Sequence, residues 1–354
     1  MTRFLSKYHA GMAPYVPGEQ PRDKKYVKLN TNENPYSPSP SVIAAISAAE
    51  VGRLNLYSDP DCTALNQAIA HTHGVNFEQV ITGNGSDELL AFAYMAFCVG
   101  KKAIFPDISY GFYPVFARLF GVEYQEIPLK ADFTVDPRDY YSAGGTIIIA
   151  NPNAPTGIAL TRAQIADIAA HNPNNLVVVD EAYVDFGGES ALPLVGEYDN
   201  ILVVRTFSKS RSLAGLRVGY AISTPEVIAE LNMMKFSFNP YNVDRLAIVA
   251  GAASVLDKGY FEDRLELIKD TRKEFAKRLV EQGYEVLPTC ANFVFAKHPL
   301  LCGKTLYLAL KENGVLVRWF NKARISDYVR ITIGTPEQME QYFVAADAAE
   351  RAAQ

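Results

Sequence analysis

From about residue 78 the chain alternates short β-branched runs with stretches of helical spacing. QVIT, KAIFP, TIIIA, LVVVDEAY and ILVVRTFS read as strands, and between them the stretch after Gly85, the aromatic segment from Tyr110 and TRAQIADIAAHN read as helices. Such alternation predicts a mainly parallel sheet covered by helices on both faces. The runs III at 147–149 and VVV at 177–179 contain no polar residue, as strands buried on both faces require. The apolar stretch LLAFAYMAFCVG at 89–100 falls short of the roughly 20 residues a membrane span needs and reads as a buried helix.

Over 258–283 the spacing changes. Phe261, Leu265, Ile268, Phe275 and Leu279 form one helical stripe, with Glu274 and Arg278 an i,i+4 pair outside it, which predicts a long helix leaving the main domain. Beyond it EVLP, NFVFAK, GKTLYLALKENG, VLVRWF, YVRITIG and PEQMEQYFVAADAAER read as strand, strand, helix, strand, strand, helix. This predicts a smaller α+β domain. The proline-rich stretches PYVPGEQPRD at 14–23 and NPYSPSP at 34–40 exclude regular helix and read as an arm and a connector. The expected division is an arm and part of the small domain over 1–40, a large domain over 41–255 and a small domain over 256–354.

Composition narrows the class. With 354 residues, 49% of them hydrophobic, the chain can bury two cores, and a formal charge of −5 gives no general attraction for nucleic acid or anionic membrane. Any phosphate must be gripped locally. Cys62, Cys98, Cys290 and Cys302 are widely spaced, which suggests neither a zinc site nor a disulfide framework. The first residues carry no secretion signal, and a cytoplasmic protein without a metal is expected.

Four segments fall at strand ends, where open α/β sheets bind ligands. TGNGSDELL at 82–90 sets two glycines before Ser86 and Asp87 at a helix start, a local anion site, although a tight turn with an N-cap looks the same. ANPNAPTG at 150–157 is made rigid by Pro152 and Pro155 and can include a cis bond, which suits a loop against a cofactor. In VVVDEAYVDF at 177–186, Asp180 ends a buried strand and needs a positive partner; a protonated pyridine nitrogen is one, a magnesium ion another. In VVRTFSKSRSLAGLRVGY at 203–220, Lys209 follows a buried strand, where an amine can condense with a carbonyl, and Arg217 offers a fork for phosphate.

Together these segments, from Tyr15 to about Thr335, resemble the fold-type I pyridoxal-phosphate-dependent aminotransferases. Within that family the arm PYVPGE, LNTNENP, LYSDPD, SYGFY, DEAYVDF, TFSKSRSLAGLRVGY and VRITIG look most like the members whose amino donor is histidinol phosphate. Aromatic aminotransferases and threonine-phosphate decarboxylases share many of these words. The resemblance implies an α/β fold of type I and pyridoxal phosphate bound covalently through Lys209, which also carries protons. It further implies Asp180 on the pyridine nitrogen, Tyr183 on the phenolic oxygen and Tyr110 stacked on the ring. Ser86, Asp87, Ser208 and Arg217 would surround the phosphate, with Tyr57 reaching the site of a neighbouring subunit in a homodimer. Arg330 would bind the substrate carboxylate, with Tyr15 and Arg318 near the substrate phosphate, and the partner substrate would be a 2-oxo acid such as 2-oxoglutarate.

One departure stands out. The family loop ends in NPTG, whose Asn bonds the ring's phenolic oxygen, whereas this chain has Ala154. Either Tyr183 holds that oxygen alone or Asn153 reaches it from the adjacent position, with a higher aldimine pKa or weaker cofactor orientation expected, not loss of the chemistry. His71 and His73 at a helix end, the basic run RDKK at 22–25, and the set Phe112, Tyr113 and Phe116 read as capping, a solvated face and helix packing. Nothing resembling a dinucleotide-binding fingerprint or a helix-turn-helix is present.

Overall fold

The computed structural model describes residues 5, 6, 9 and 11–353. A short arm strand, β1 (Val27–Lys28), precedes seven strands of one sheet: β2 (Val80–Gly83), β3 (Lys102–Pro106), β4 (Glu123–Ile127), β5 (Thr146–Ala150), β6 (Val177–Asp180), β7 (Ile201–Thr206) and β8 (Gly219–Ile222). Their order is β2-β8-β7-β6-β5-β3-β4, with β8 alone antiparallel to its neighbours. The sheet is mainly parallel, as the alternation predicts. Every residue of β5 and β6 is buried, because helices cover both faces. Ala150 lies opposite Asp180 and Asp180 opposite Val204, with β7 running on to Thr206.

Helix starts are capped as the local sequence dictates. Thr161 and Gln164 form a reciprocal capping box before Arg162–Ala170, and Thr224 caps Pro225–Phe238 with proline in its first turn. The stretch after Gly85 is helical over Ser86–Ala93, then widens to a π turn over Tyr94–Cys98.

The helix Lys258–Glu281 spans 24 residues, about 36 Å at 1.5 Å per residue. Its buried stripe of Leu265, Ile268, Phe275 and Leu279 joins a core shared with a second, four-stranded sheet. That sheet comprises β9 (Glu285–Val286), β10 (Phe293–Lys297), β12 (Arg318–Trp319) and β13 (Tyr328–Thr332), ordered β12-β13-β10-β9 and antiparallel throughout. Between its strands β11 (Val315–Leu316) pairs with β1, tying the arm to this half of the molecule. The expected Glu274–Arg278 pair gives way to another: Arg278 forks onto Glu340 of the C-terminal helix and lies over Phe343. A bidentate carboxylate partner and an aromatic face together outweigh one exposed i,i+4 pair.

Candidate active site

The turn from β2 into the helix Ser86–Ala93 is shaped by what it leaves out. Gly85 has φ +81°, and a methyl group there would lie 2.6 Å from Nη2 of Arg217. A methyl group on Gly219 would lie 2.4 Å from the Ser86 amide nitrogen. Two glycines thus let Arg217 and β8 close onto the helix start. No side chain caps that start, so its free N–H groups and partial positive charge remain open to an anion. Arg217 donates to Ser208 Oγ at 3.2 Å and meets Asp87 at 3.3 Å, while its side chain stays nearly half exposed. Tyr110 donates to the other oxygen of Asp87 at 2.9 Å.

At the end of β6, Asp180 is buried. Its Oδ2 accepts the Tyr113 hydroxyl at 2.9 Å and its Oδ1 accepts the Ala182 amide at 3.2 Å. Burial pushes its carboxyl up to about 6 against those two hydrogen bonds, and the charged groups acting on it most strongly, Asp87 and Glu181, are both acidic. A buried carboxylate in such company calls for a cation.

Lys209, just past β7, donates from Nζ to the Thr31 carbonyl at 2.9 Å and lies 5.8 Å above the Tyr183 ring. The Tyr183 hydroxyl accepts the Asn32 amide at 2.9 Å. Asn32, with φ +56°, is held by Thr332 and Asn292. Asn153 has other work. Its amide donates to the Ile108 carbonyl at 2.9 Å and to Thr156 at 3.0 Å, and its oxygen accepts from Ser109. Both of its donors are thus engaged, one inside its own loop and one on the segment after β3; the Asn151–Pro152 and Ala154–Pro155 bonds of its loop are cis. Of the two alternatives raised by Ala154, this geometry favours Tyr183, with Asn32 behind it.

The arm and the small sheet close the other side. Tyr15 stacks on Phe112 at 4.2 Å and lies 6.1 Å from Tyr110. Burial raises its pKa, while the charges of Arg318 and Arg330 pull it down. Those two arginines face each other across β12 and β13, an arrangement that is unfavourable unless an anion joins them. Arg318 forks onto the Val16 and Pro17 carbonyls, and Arg330 donates to the Asn30 carbonyl at 3.1 Å between the Phe293 and Phe320 rings. Burial lowers the Arg330 pKa, and its Nε has no hydrogen-bond partner among the described residues. Tyr57 stands apart, 79% exposed and stacked on Tyr241.

Two residues were not given roles by the sequence reading. Asn32 lies inside the quoted word LNTNENP, and its left-handed backbone became evident only in the fold. Tyr113 belongs to the aromatic set whose spacing reads as helix packing, yet its hydroxyl holds Asp180. His73, by contrast, bonds Tyr220 at 2.8 Å, and RDKK is exposed.

Residues 24–346 match the family described as aminotransferase class I and II. The chain belongs to that family. It is 53% identical over 340 residues to histidinol-phosphate aminotransferase 1 of Bradyrhizobium diazoefficiens, covering 96% of this chain and 97% of the relative. It is 50% identical, again over 340 residues, to the histidinol-phosphate aminotransferase of Acinetobacter baumannii strain AB307-0294, covering 95% and 94%. Within its class the chain therefore groups with the histidinol-phosphate aminotransferases. The fold agrees: the structure of the Sinorhizobium meliloti histidinol-phosphate aminotransferase in complex with pyridoxal-5'-phosphate superposes with a TM-score of 0.89 at 23% identity, covering 100% of this chain and 99% of the other.

The residues fit pyridoxal phosphate. An uncapped helix start beside a half-exposed guanidinium suits a phosphate monoester, and the buried Asp180 carboxylate suits a protonated ring nitrogen.

Proposed function

We propose that the protein transfers the amino group of L-histidinol phosphate to 2-oxoglutarate, giving imidazole acetol phosphate and L-glutamate in histidine biosynthesis. The observation that carries this reading is the identity of 50–53% to histidinol-phosphate aminotransferases over nearly the whole of both chains. The structural support is an anion-ready helix start, a buried carboxylate and a lysine amine at neighbouring ends of one sheet.

When bound, pyridoxal phosphate supplies a carbonyl for the donor amine and a cationic ring that accepts electrons from the substrate carbon. Ser86, Asp87, Ser208 and Arg217 would hold its phosphate, Tyr110 would stack on the ring, and the loop of Asn153 would lie against the cofactor. Asp180 keeps a proton on the ring nitrogen through a charge-assisted bond. Tyr183, backed by Asn32, holds the phenolic oxygen. Lys209 would anchor the cofactor through Nζ, and as a free amine that Nζ would move the proton at the substrate carbon. Arg330 and Arg318 bind the anionic ends of the two substrates in turn, since one guanidinium fork serves both carboxylate and phosphate. Tyr15 would lie near the substrate phosphate with Arg318.

In this account residues 41–255 form the cofactor-binding domain, 256–354 the small domain, and 1–40 the arm that joins it. The exposed side chains of Leu54, Leu56, Tyr57, Phe236 and Phe238 support a homodimer in which Tyr57 reaches the neighbouring site. Four unpaired cysteines support a cytoplasmic location. The test is a panel of donors assayed with 2-oxoglutarate: histidinol phosphate, phenylalanine and threonine phosphate. Preference for histidinol phosphate supports the reading. Preference for phenylalanine makes the protein an aromatic aminotransferase, and carbon dioxide release from threonine phosphate without an acceptor makes it a decarboxylase.

A further inference from the structure

Among the buried tyrosines near the site, two hydroxyls behave differently. Tyr94 donates to the Tyr113 carbonyl at 3.0 Å, an ordinary structural bond between a helix and the next segment. Tyr113 donates instead to an ionisable group, Oδ2 of Asp180, at 2.9 Å. Its ring is fully buried and edge-on to Tyr110 at 5.7 Å, with Phe105 also 5.7 Å away, so the hydroxyl has little freedom to turn elsewhere. The other carboxylate oxygen accepts the Ala182 amide. Both oxygens of Asp180 are therefore anchored, which fixes the plane of the carboxylate. Each oxygen still has a lone pair free for a further donor.

We propose that Tyr113 is a positioning residue for Asp180: its hydroxyl orients the carboxylate and favours its ionised form, so that the proton of the Asp180–ring pair stays on the ring nitrogen. This rests on the reading of Asp180 as the partner of that nitrogen. A hydrogen bond donated to a carboxylate stabilises the anion over the acid. Without it, the proton shared by carboxylate and ring moves toward the carboxylate, and the ring loses the charge that makes it an electron sink. The groups facing Asp180 do not replace that effect. Asp87 and Glu181 both disfavour its ionisation, and Tyr94 and Tyr110, which surround Tyr113, are buried and neutral.

The role can be separated from packing by Tyr113→Phe, which keeps the ring and removes one oxygen. In apo-protein, the Asp180 titration is read as the carboxylic-acid infrared band present in wild type and missing from Asp180→Asn. Tyr113→Phe should move that titration upward by about one to two pH units, whereas Tyr94→Phe should leave it in place. In holoenzyme, Tyr113→Phe should lower kcat about ten- to a hundredfold with little change in KM, and should add almost no further loss to Asp180→Asn. An unmoved titration, or losses that multiply in the double variant, would overturn the role of Tyr113. If Tyr113→Phe does not fold, Tyr113→Met removes the hydroxyl without supplying another donor, and a titration unchanged from wild type overturns the role equally. Should Asp180→Asn itself retain wild-type kcat, the reading of Asp180 fails first.

Discussion

Two acidic neighbours at the end of β6 show how differently one strand can use the same chemistry. Glu181 is met by Arg205 at 2.8 Å, by the Ser190 hydroxyl and by the Ala191 amide. Asp180, one residue earlier and facing the other way, has a tyrosine hydroxyl and one amide, with no arginine among the described residues. Both are buried, and burial lifts both pKa values. The Glu181 side is complete and belongs to the fold. On the Asp180 side the countercharge must arrive with a ligand.

The contrast breaks most sharply at the residues that serve the Asp180 side. Lys209→Ala should abolish turnover while leaving thermal stability near wild type, since the covalent anchor and the proton carrier are lost together; activity above the uncatalysed rate would show that another amine serves. Next, Asp180→Asn should keep the fold and raise the barrier to proton transfer by several kcal/mol, measured in single turnovers. Glu181→Ala should do the reverse. Breaking a buried ion pair should cost about 3–5 kcal/mol of stability in denaturant titration, and the folded fraction should keep its kcat. If the two variants exchanged phenotypes, the assignment of the two faces would be reversed.

Much of this was visible in the sequence because it depends on local words. Apolar runs ending in Asp180, the serines around Lys209 and the glycines before Ser86 each announce a strand end with chemistry on it, and the fold assembled them. Tyr113 and Asn32 were not legible in the same way. Nothing in SYGFY distinguishes a tyrosine that packs from one that reaches a carboxylate 67 positions on. The bond between Asn32 and Tyr183 joins residues 151 apart. Asn153 misleads for the related reason that its partners, Ile108 and Ser109, come from a distant loop. The Arg278–Glu340 pair shows the same limit outside the site.

A smaller effect follows from pH. The Asp180 carboxyl is raised in the folded apo-protein to about 6, above an ordinary value of about 4. The folded state therefore binds the extra proton between these values. Its contribution to stability is full below about pH 4 and is lost as pH rises through about 6, by up to ~3 kcal/mol. Melting curves of apo-protein should show this loss, Asp180→Asn should lack it, and saturating pyridoxal phosphate should remove it from wild type. An equal loss with and without cofactor would mean that the ligand does not supply the countercharge.

The arginines at the open end should give the mildest changes. Arg330→Ala should raise the KM for 2-oxoglutarate and weaken the phosphorylated donor as well. Arg318→Ala, which also frees the arm from its bonds at Val16 and Pro17, should act more selectively on the donor. Each should cost about 1.5–3 kcal/mol, or roughly ten- to a hundredfold in kcat/KM. Equal kcat/KM for histidinol phosphate and unphosphorylated histidinol in wild type would remove the basis for a phosphate clamp.

The central claim is that Lys209, just past β7 and over the Tyr183 ring, is the amine that carries the cofactor. Borohydride reduction of the holoenzyme followed by tryptic mapping tests it directly. Lys235 is a demanding internal control, because it is still more deeply buried but donates to the Pro60 carbonyl at 2.6 Å. The account predicts a single pyridoxyl-modified peptide, residues 206–211, with the added mass on Lys209. The mass on Lys235 or any other lysine, or on none, would contradict it.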